Sequence, residues 1–337
     1  MAYYMIGGGI LKKNIIAVLI VGLMLITSCS MNPPWRWFGG NKNNVSPTTK
    51  PTITLTPTSS VVPTISIVPT ISMYPTVSST PTATATPSVS DITNDDPLPV
   101  FLNLDNTKHG WGYRPNSEHK TPEMPQSTVN LLKKYSGYYV GDTSSKVIYL
   151  TFDEGYENGY TGKILDILKA NSVPAAFFVT RPYITKNPDL IKRMVEEGHI
   201  VGNHTSNHPS MPDKTGDPEA FKKEFTVVED LYKELTGKDM PKFFRPPMGE
   251  YSEKSLAMTQ QLGYKSIFWS FAHRDWLVDD QPDVNTTYTR VMNGVHNGEI
   301  MLLHAVSKSN TEALDSILKD LKAQGYRFAS LEELPER

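Results

Sequence analysis

Beyond residue 95 the chain alternates apolar runs of strand length with amphipathic runs of helix length, and this alternation constrains the fold more than any other feature. The expected strands are 147–152, 175–179, 199–201, 243–244, 266–269, 300–303 and 327–330; the expected helices lie near 161–170, 188–197, 219–235, 253–262 and 311–324. A βα repeat of this kind predicts an α/β fold with a parallel sheet wrapped or closed by helices. In an α/β barrel the reactive groups gather where strands end. The residues at those ends are Asp153 and Glu154, His204 with His208, Arg245, Asp275 with Trp276, and His304.

The first hundred residues read differently. Lys12 and Lys13 precede an apolar run from Ile15 to Ile26, too short for a spanning helix and suited to the core of a signal peptide. Its ending, Ile26-Thr27-Ser28-Cys29, resembles a bacterial lipobox, and Cys29 is the only cysteine. Residues 1–28 are therefore expected to be a lipoprotein-type signal peptide; plain secretion and an uncleaved anchor are the alternatives. Residues 29–95 form an expected linker without a packed core, rich in Pro, Thr and Ser. Prolines recur at 51, 57, 63, 69, 75, 81 and 87. Polyproline II has three residues per turn, so this period places every proline on one edge of an extended rod. At ~3.1 Å per residue the tract from Pro47 to Ser90 would reach roughly 140 Å, a spacer between membrane and wall.

Charge excludes a basic nucleic-acid binder. The chain carries 33 Lys and Arg against 35 Asp and Glu, and residues 1–92 hold five of the former and one of the latter, so the globular part is mildly acidic. A segment at 96–145 precedes the expected catalytic domain at 146–335.

Several strand-end residues suit hydrolytic chemistry. His204 and His208 stand four apart, which on a helical turn brings both imidazoles to one side, as a divalent transition ion needs; two surface or capping histidines are the plain alternative. Gly155 permits a turn that would bring both Asp153 and Glu154 into the mouth. Arg245 precedes Pro246 and Pro247, which stiffen the backbone, so its guanidinium can be held against a carboxylate base. His304 ends an apolar strand and is either a buried structural histidine or an acid facing the mouth. Trp276 is either a rim aromatic or the wall of a small acyl pocket. His109, His119, His199, His273 and His296 receive no role.

Together Thr151-Phe152-Asp153-Glu154-Gly155, His204-x-x-x-His208-Pro209, Arg245-Pro246-Pro247-x-Gly249, Asp275-Trp276 and Leu302-Leu303-His304 resemble the five ordered motifs of the polysaccharide deacetylases, the NodB-homology or carbohydrate esterase family 4 domain. The resemblance covers roughly residues 146–330. Gly110-Trp111-Gly112-Tyr113, Tyr156-Glu157-Asn158-Gly159-Tyr160, Gly249-Glu250-Tyr251-Ser252 and Leu303-His304-Ala305-Val306-Ser307 are similar to the delta-lactam-biosynthetic branch of spore-forming bacteria. That branch removes acetyl from N-acetylmuramic acid in peptidoglycan.

The resemblance implies a distorted TIM-like (β/α) barrel and a divalent metal, commonly Zn²⁺. It implies Asp153 as base, His204 and His208 as metal ligands, Arg245 as support for the base, Asp275 as support for that arginine, and His304 as acid. Leu302 and Trp276 would shape the acetyl pocket. Glu154 stands where most of the family has a metal-binding Asp, and is expected as the third metal ligand beside His204 and His208. The implied partner is the peptidoglycan glycan strand, met by a monomer anchored through lipid on the outer face of the cytoplasmic membrane. A deacetylase of N-acetylglucosamine polymers, a wall-binding module disarmed by Glu154 and an O-acetyl esterase are the competing readings.

Overall fold

A computed structural model describes residues 101–336 of the protein, other than 116. The signal sequence, Cys29 and the proline-rich linker expected from the sequence lie outside the described residues. No helix among the described residues is long and apolar enough to cross a membrane.

The strands in chain order are β1 (His109–Gly110), β2 (Gly137–Tyr138), β3 (Val147–Glu154), β4 (Ala176–Val179), β5 (Ile200–Asn203), β6 (Phe243–Phe244), β7 (Glu250–Tyr251), β8 (Lys265–Ile267), β9 (Glu299–His304) and β10 (Arg327–Phe328). The helices are α1 (Gln126–Lys134), α2 (Thr161–Ala170), α3 (Arg181–Lys186), α4 (Pro188–Glu196), α5 (Pro218–Thr236), α6 (Glu253–Gln261), α7 (Val284–Gly294) and α8 (Lys308–Ala323). β3, β4, β5, β6 and β8 run parallel in that order, and β9 lies on the other edge of β3. The ring closes through a single parallel bridge between Phe271, just beyond β8, and Met301 of β9. Three backbone hydrogen bonds hold this seam, Ser270 and Phe271 donating to the Ile300 carbonyl and Leu302 to that of Phe271. At the opposite end, β2 pairs with β8 and Val140 bridges Glu299, filling the gap between β8 and β9. The expected barrel is therefore present, with its distortion at the seam, and β2 belongs to the sheet although its residues fall in the segment expected to precede the domain.

Strand periodicity divides the core into two layers. Val147 and Tyr149 of β3, Ala176 and Phe178 of β4, and Ile300 and Leu302 of β9 enter the inner layer. Ile148, Leu150 and Phe152, Phe177 and Val179, and Met301 and Leu303 face the helices. The helices are set by local signals: Asp217 caps α5 by accepting from the Ala220 N–H at 3.0 Å, Pro218 occupies the first turn, and Gly237 ends the helix at a φ of 70°.

Sequence reading misses α1, α3 and α7. The sequence of α7, VNTTYTRVMNG, is rich in β-branched and Asn residues of low helix propensity. Asp283 starts it by accepting from the Thr286 N–H at 2.9 Å, and Val291 and Thr287 bury its inner face.

Candidate active site

Five strand ends supply the groups of the mouth. β3 presents Asp153 on the same face as Val147, Tyr149 and Thr151, toward the barrel interior. Its Oδ1 accepts from Arg245 Nη1 at 3.0 Å, and its Oδ2 lies 3.8 Å from His204 Nε2.

Arg245 follows β6 and is wholly buried. Its N–H donates to the Asn203 carbonyl, its Nε to that of Ile267 at 3.0 Å and its Nη2 to that of Phe268 at 3.5 Å. The guanidinium lies over the rings of Phe178 and Trp269, 4.4 and 5.6 Å from their centroids. Burial lowers its pKa against the pull of Asp153, yet a guanidinium stays charged in proteins. Arg245 is thus a fixed cation with Asp153 as its carboxylate partner.

His204 and His208 meet, although not on a helical turn. The stretch from His204 to Ser210 is a loop in which Thr205 and His208 have positive φ, 72° and 55°. Asn203 Oδ1 accepts from the Thr205 N–H at 2.9 Å and Thr205 Oγ1 from the His208 N–H at 2.8 Å, local bonds that compete with helix formation. The two rings stand edge to face with centroids 4.8 Å apart. The Arg245 carbonyl is 2.8 Å from His204 Nδ1. Only a protonated Nδ1 satisfies that carbonyl, so Nε2 turns its lone pair toward Asp153. Burial keeps both imidazoles neutral, lowering His204 and pushing His208 down to about 3.

Glu154 is a correction. β3 stays extended through this residue, so the alternation of faces persists and Glu154 points away from Asp153, toward the helix layer. It is wholly buried there, with Oε1 3.4 Å from Thr161 Oγ1 and Oε2 without a hydrogen-bond partner. Burial, with Glu157 nearby, raises its pKa well above the usual carboxylate range. The turn expected at Gly155 comes one residue too late to bring both carboxylates into the mouth.

Among the described residues no three His, Cys, Asp or Glu side chains form a group able to hold a metal ion. Two neutral imidazoles in contact, one with its lone pair directed beside a carboxylate, nevertheless suit two positions of a divalent transition ion. The donor set therefore fits such an ion through His204 and His208, with solvent or substrate completing it.

A second correction concerns Asp275. Rather than supporting Arg245, it is the partner of His304, accepting from the His304 N–H at Oδ2 (2.9 Å) and lying 2.7 Å from His304 Nδ1 at Oδ1. Both residues are buried. Burial raises the Asp275 pKa, but the attraction and hydrogen bonds of His304 outweigh it and the net shift is downward. For His304 burial opposes the charge, and the Asp275 carboxylate more than compensates, so the imidazolium is favoured. Trp276 stands 5.5 Å from His304, ring to ring, and Leu302 is buried on the inner face of β9.

The histidines without a role divide. His199 Nδ1 accepts from the Ala175 N–H, His296 is bonded to Gly294 and Ser270, His119 to Val295, and His109 packs on Tyr251. His273 is different, lying 3.0 Å from Asn310 in the layer behind Asp275. Asn310, which sequence reasoning misses, touches Asp275 itself; its six-residue distance from His304 carries no periodic signal.

A carboxylate held by a buried arginine and a buried imidazole held by a carboxylate stand at strand ends beside two paired imidazoles, on a distorted barrel. The chain belongs to the polysaccharide deacetylase family, whose sequence profile matches residues 140–267. It is 45% identical over 224 residues to the peptidoglycan-N-acetylmuramic acid deacetylase PdaA of Bacillus subtilis, covering 66% of this chain and 84% of that protein. A peptidoglycan-N-acetylglucosamine deacetylase of Bacillus cereus is 32% identical over 204 residues, covering 59% of this chain and 72% of its own. The fold matches the structure of Bacillus subtilis PdaA, a family 4 carbohydrate esterase, with a TM-score of 0.67 at 42% identity, over 68% of this chain and 98% of that one.

Proposed function

We propose that this chain hydrolyses the acetamide of N-acetylmuramic acid in peptidoglycan, releasing acetate and leaving a free amine. The observation that carries the reading is the meeting of two separately anchored groups at one mouth, Asp153 held by Arg245 and His304 held by Asp275. The similarity to PdaA supports muramic acid as the sugar.

Asp153 accepts a proton from the water that attacks the acetyl carbon, and Arg245 holds the carboxylate in place through Nη1. The tetrahedral intermediate then collapses as His304 Nε2 delivers its proton to the sugar nitrogen, without which an amine is a poor leaving group. Asp275 fixes the ring through Nδ1 so that Nε2 faces the reacting bond. Leu302 and Trp276 border the acetyl group. A divalent ion, with zinc the leading candidate, would be held by His204 and His208 and supplies Lewis acidity that acidifies water and polarises the acetyl oxygen.

The same proposal extends to cellular placement. Export through residues 1–28, lipidation at Cys29 and a spacer over 29–95 would set a monomeric catalytic domain in the wall of a spore-forming bacterium, supported by the lipobox-like ending and the proline period.

Acetate release from peptidoglycan strands stripped of stem peptides, with zinc present and mass spectra of the digested strands, tests the reading. Loss of acetyl from muramic acid is expected. Loss from glucosamine alone would replace the substrate, and retention of the strand without acetate would replace the enzyme by a binding module.

A further inference from the structure

Behind the acid lies a buried polar layer that the reaction as described leaves unused. Asp275 Oδ2, already bonded to the His304 N–H, also accepts from Asn310 Nδ2, and the same amide nitrogen lies 3.3 Å from the His304 carbonyl. Both partners are pure acceptors, so the NH₂ end of Asn310 must face them. Oδ1 then points the other way, 3.0 Å from His273 Nε2, and that nitrogen must carry hydrogen. One orientation of each group satisfies the whole chain from His273 through Asn310 and Asp275 to His304. Asn310 is itself fixed, since it opens α8 with its N–H on the capping Ser307 Oγ at 3.1 Å and is 2% exposed. The His273 side chain is 5% exposed, its Nδ1 lacks a hydrogen-bond partner, and the ring borders a cavity of about 690 Å³ shared with Tyr113, Arg274 and Arg290.

We infer that Asn310 is a positioning residue for the acid, clamping the Asp275 carboxylate and the His304 backbone in one register, and that His273 fixes the direction of the Asn310 amide. The inference rests on His304 being the acid. The charged and titratable groups facing His304 are Asp275, Asp153 and Arg245, with His204 and His208 across the mouth and His273 3.9 Å from Asp275 on its far side. Removing the Asn310 donor leaves more of the Asp275 charge for the imidazolium. The basic limb of the pH–rate profile then moves to higher pH, because the acid keeps its proton longer, while kcat falls because the ring is no longer held.

The test compares Asn310→Leu, His273→Leu and His273→Gln in the full chain, with kcat and KM measured across pH on stem-peptide-free strands and folding checked by thermal unfolding. Asn310→Leu is expected to lower kcat by about tenfold, with KM within about twofold of the parent, and to raise the basic limb. His273→Leu is expected to do the same more weakly, and His273→Gln, which restores a donor to Asn310 Oδ1, to recover the parent profile. Folded variants with unchanged kcat and an unmoved limb overturn the inference. So does a loss of kcat in which the limb stays put and His273→Gln behaves as His273→Leu. If Asn310→Leu does not fold, the two His273 variants decide alone. His304→Ala separates the levels: full activity there removes the acid reading itself, whereas its loss beside unaffected Asn310 and His273 variants removes only this inference.

Discussion

Asp153 and His304 are register partners on adjacent parallel strands, Asp153 of β3 opposite His304 of β9. Partners in a parallel pair stand on the same face, with strands about 4.8 Å apart. The sheet itself therefore brings the Asp153 carboxylate and the His304 imidazole to one side of the mouth. Each has its own anchor from elsewhere in the chain, Arg245 for Asp153 and Asp275 for His304.

Replacing Asp153 by Asn is expected to lower kcat by about 10²- to 10⁴-fold. It also leaves the buried Arg245 guanidinium without its carboxylate, and breaking a buried ion pair costs about 3–5 kcal/mol. Denaturant unfolding of Asp153→Asn should show the lost stability; an unchanged midpoint would mean that Arg245 finds its compensation in the carbonyls of Ile267 and Phe268.

The Asp275–His304 pair predicts a pH dependence. The folded-state pKa of His304 is raised, so the imidazolium is present at low pH and lost as pH rises through that value. Activity should therefore fall on a basic limb above the ordinary histidine range. Asp275→Asn removes the attraction and should shift that limb to lower pH; a profile that does not move would show that another group donates the proton.

Glu154 separates metal binding from burial. Its side chain faces Thr161, so Glu154→Gln should leave zinc affinity, followed by titration calorimetry, within about twofold of the parent, whereas His204→Ala should weaken it by at least about tenfold. The folded-state pKa of Glu154 is raised, so its stabilising contribution is present at low pH and lost as the carboxyl ionises. Thermal stability of Glu154→Gln should accordingly decline less with rising pH than that of the parent. Zinc affinity lost in Glu154→Gln would return this residue to the ligand set.

Gly249 carries a structural demand of the Arg245-Pro246-Pro247 turn. Its φ is +65°, and a Cβ there would stand 2.8 Å from Trp111 Cβ and 3.0 Å from the Trp269 ring. Gly249→Ala should destabilise the domain by about 1–3 kcal/mol and disturb Trp269, which lies over Arg245. Intrinsic tryptophan fluorescence and thermal unfolding report the two effects separately.

Strand ends were legible because an apolar run that stops at a polar residue is visible without knowledge of the fold, as at Phe152-Asp153 and Leu303-His304. Spacing located the histidine pair, but not its local form, because Asn203 and Thr205 side chains bind the backbone and turn the segment into a loop. The face of Glu154 depended on where β3 ends, and strand boundaries are a weakly encoded quantity. Asp275 and His304 are 29 residues apart, so their pairing is a property of the closed barrel. Helix α7 escaped notice because tertiary burial, not propensity, sustains it.

The seam between Phe271 and Met301 gives the barrel a thermal fuse. Three backbone hydrogen bonds join its edges, whereas β3 and β9 run together over six register pairs. Asp275 lies four residues beyond Phe271 and His304 three beyond Met301, so parting these edges would draw His304 away from Asp275 without breaking the six register pairs of β3 and β9. Local opening requires less free energy than global unfolding. Heating should therefore silence the enzyme at a temperature where its secondary structure is still intact.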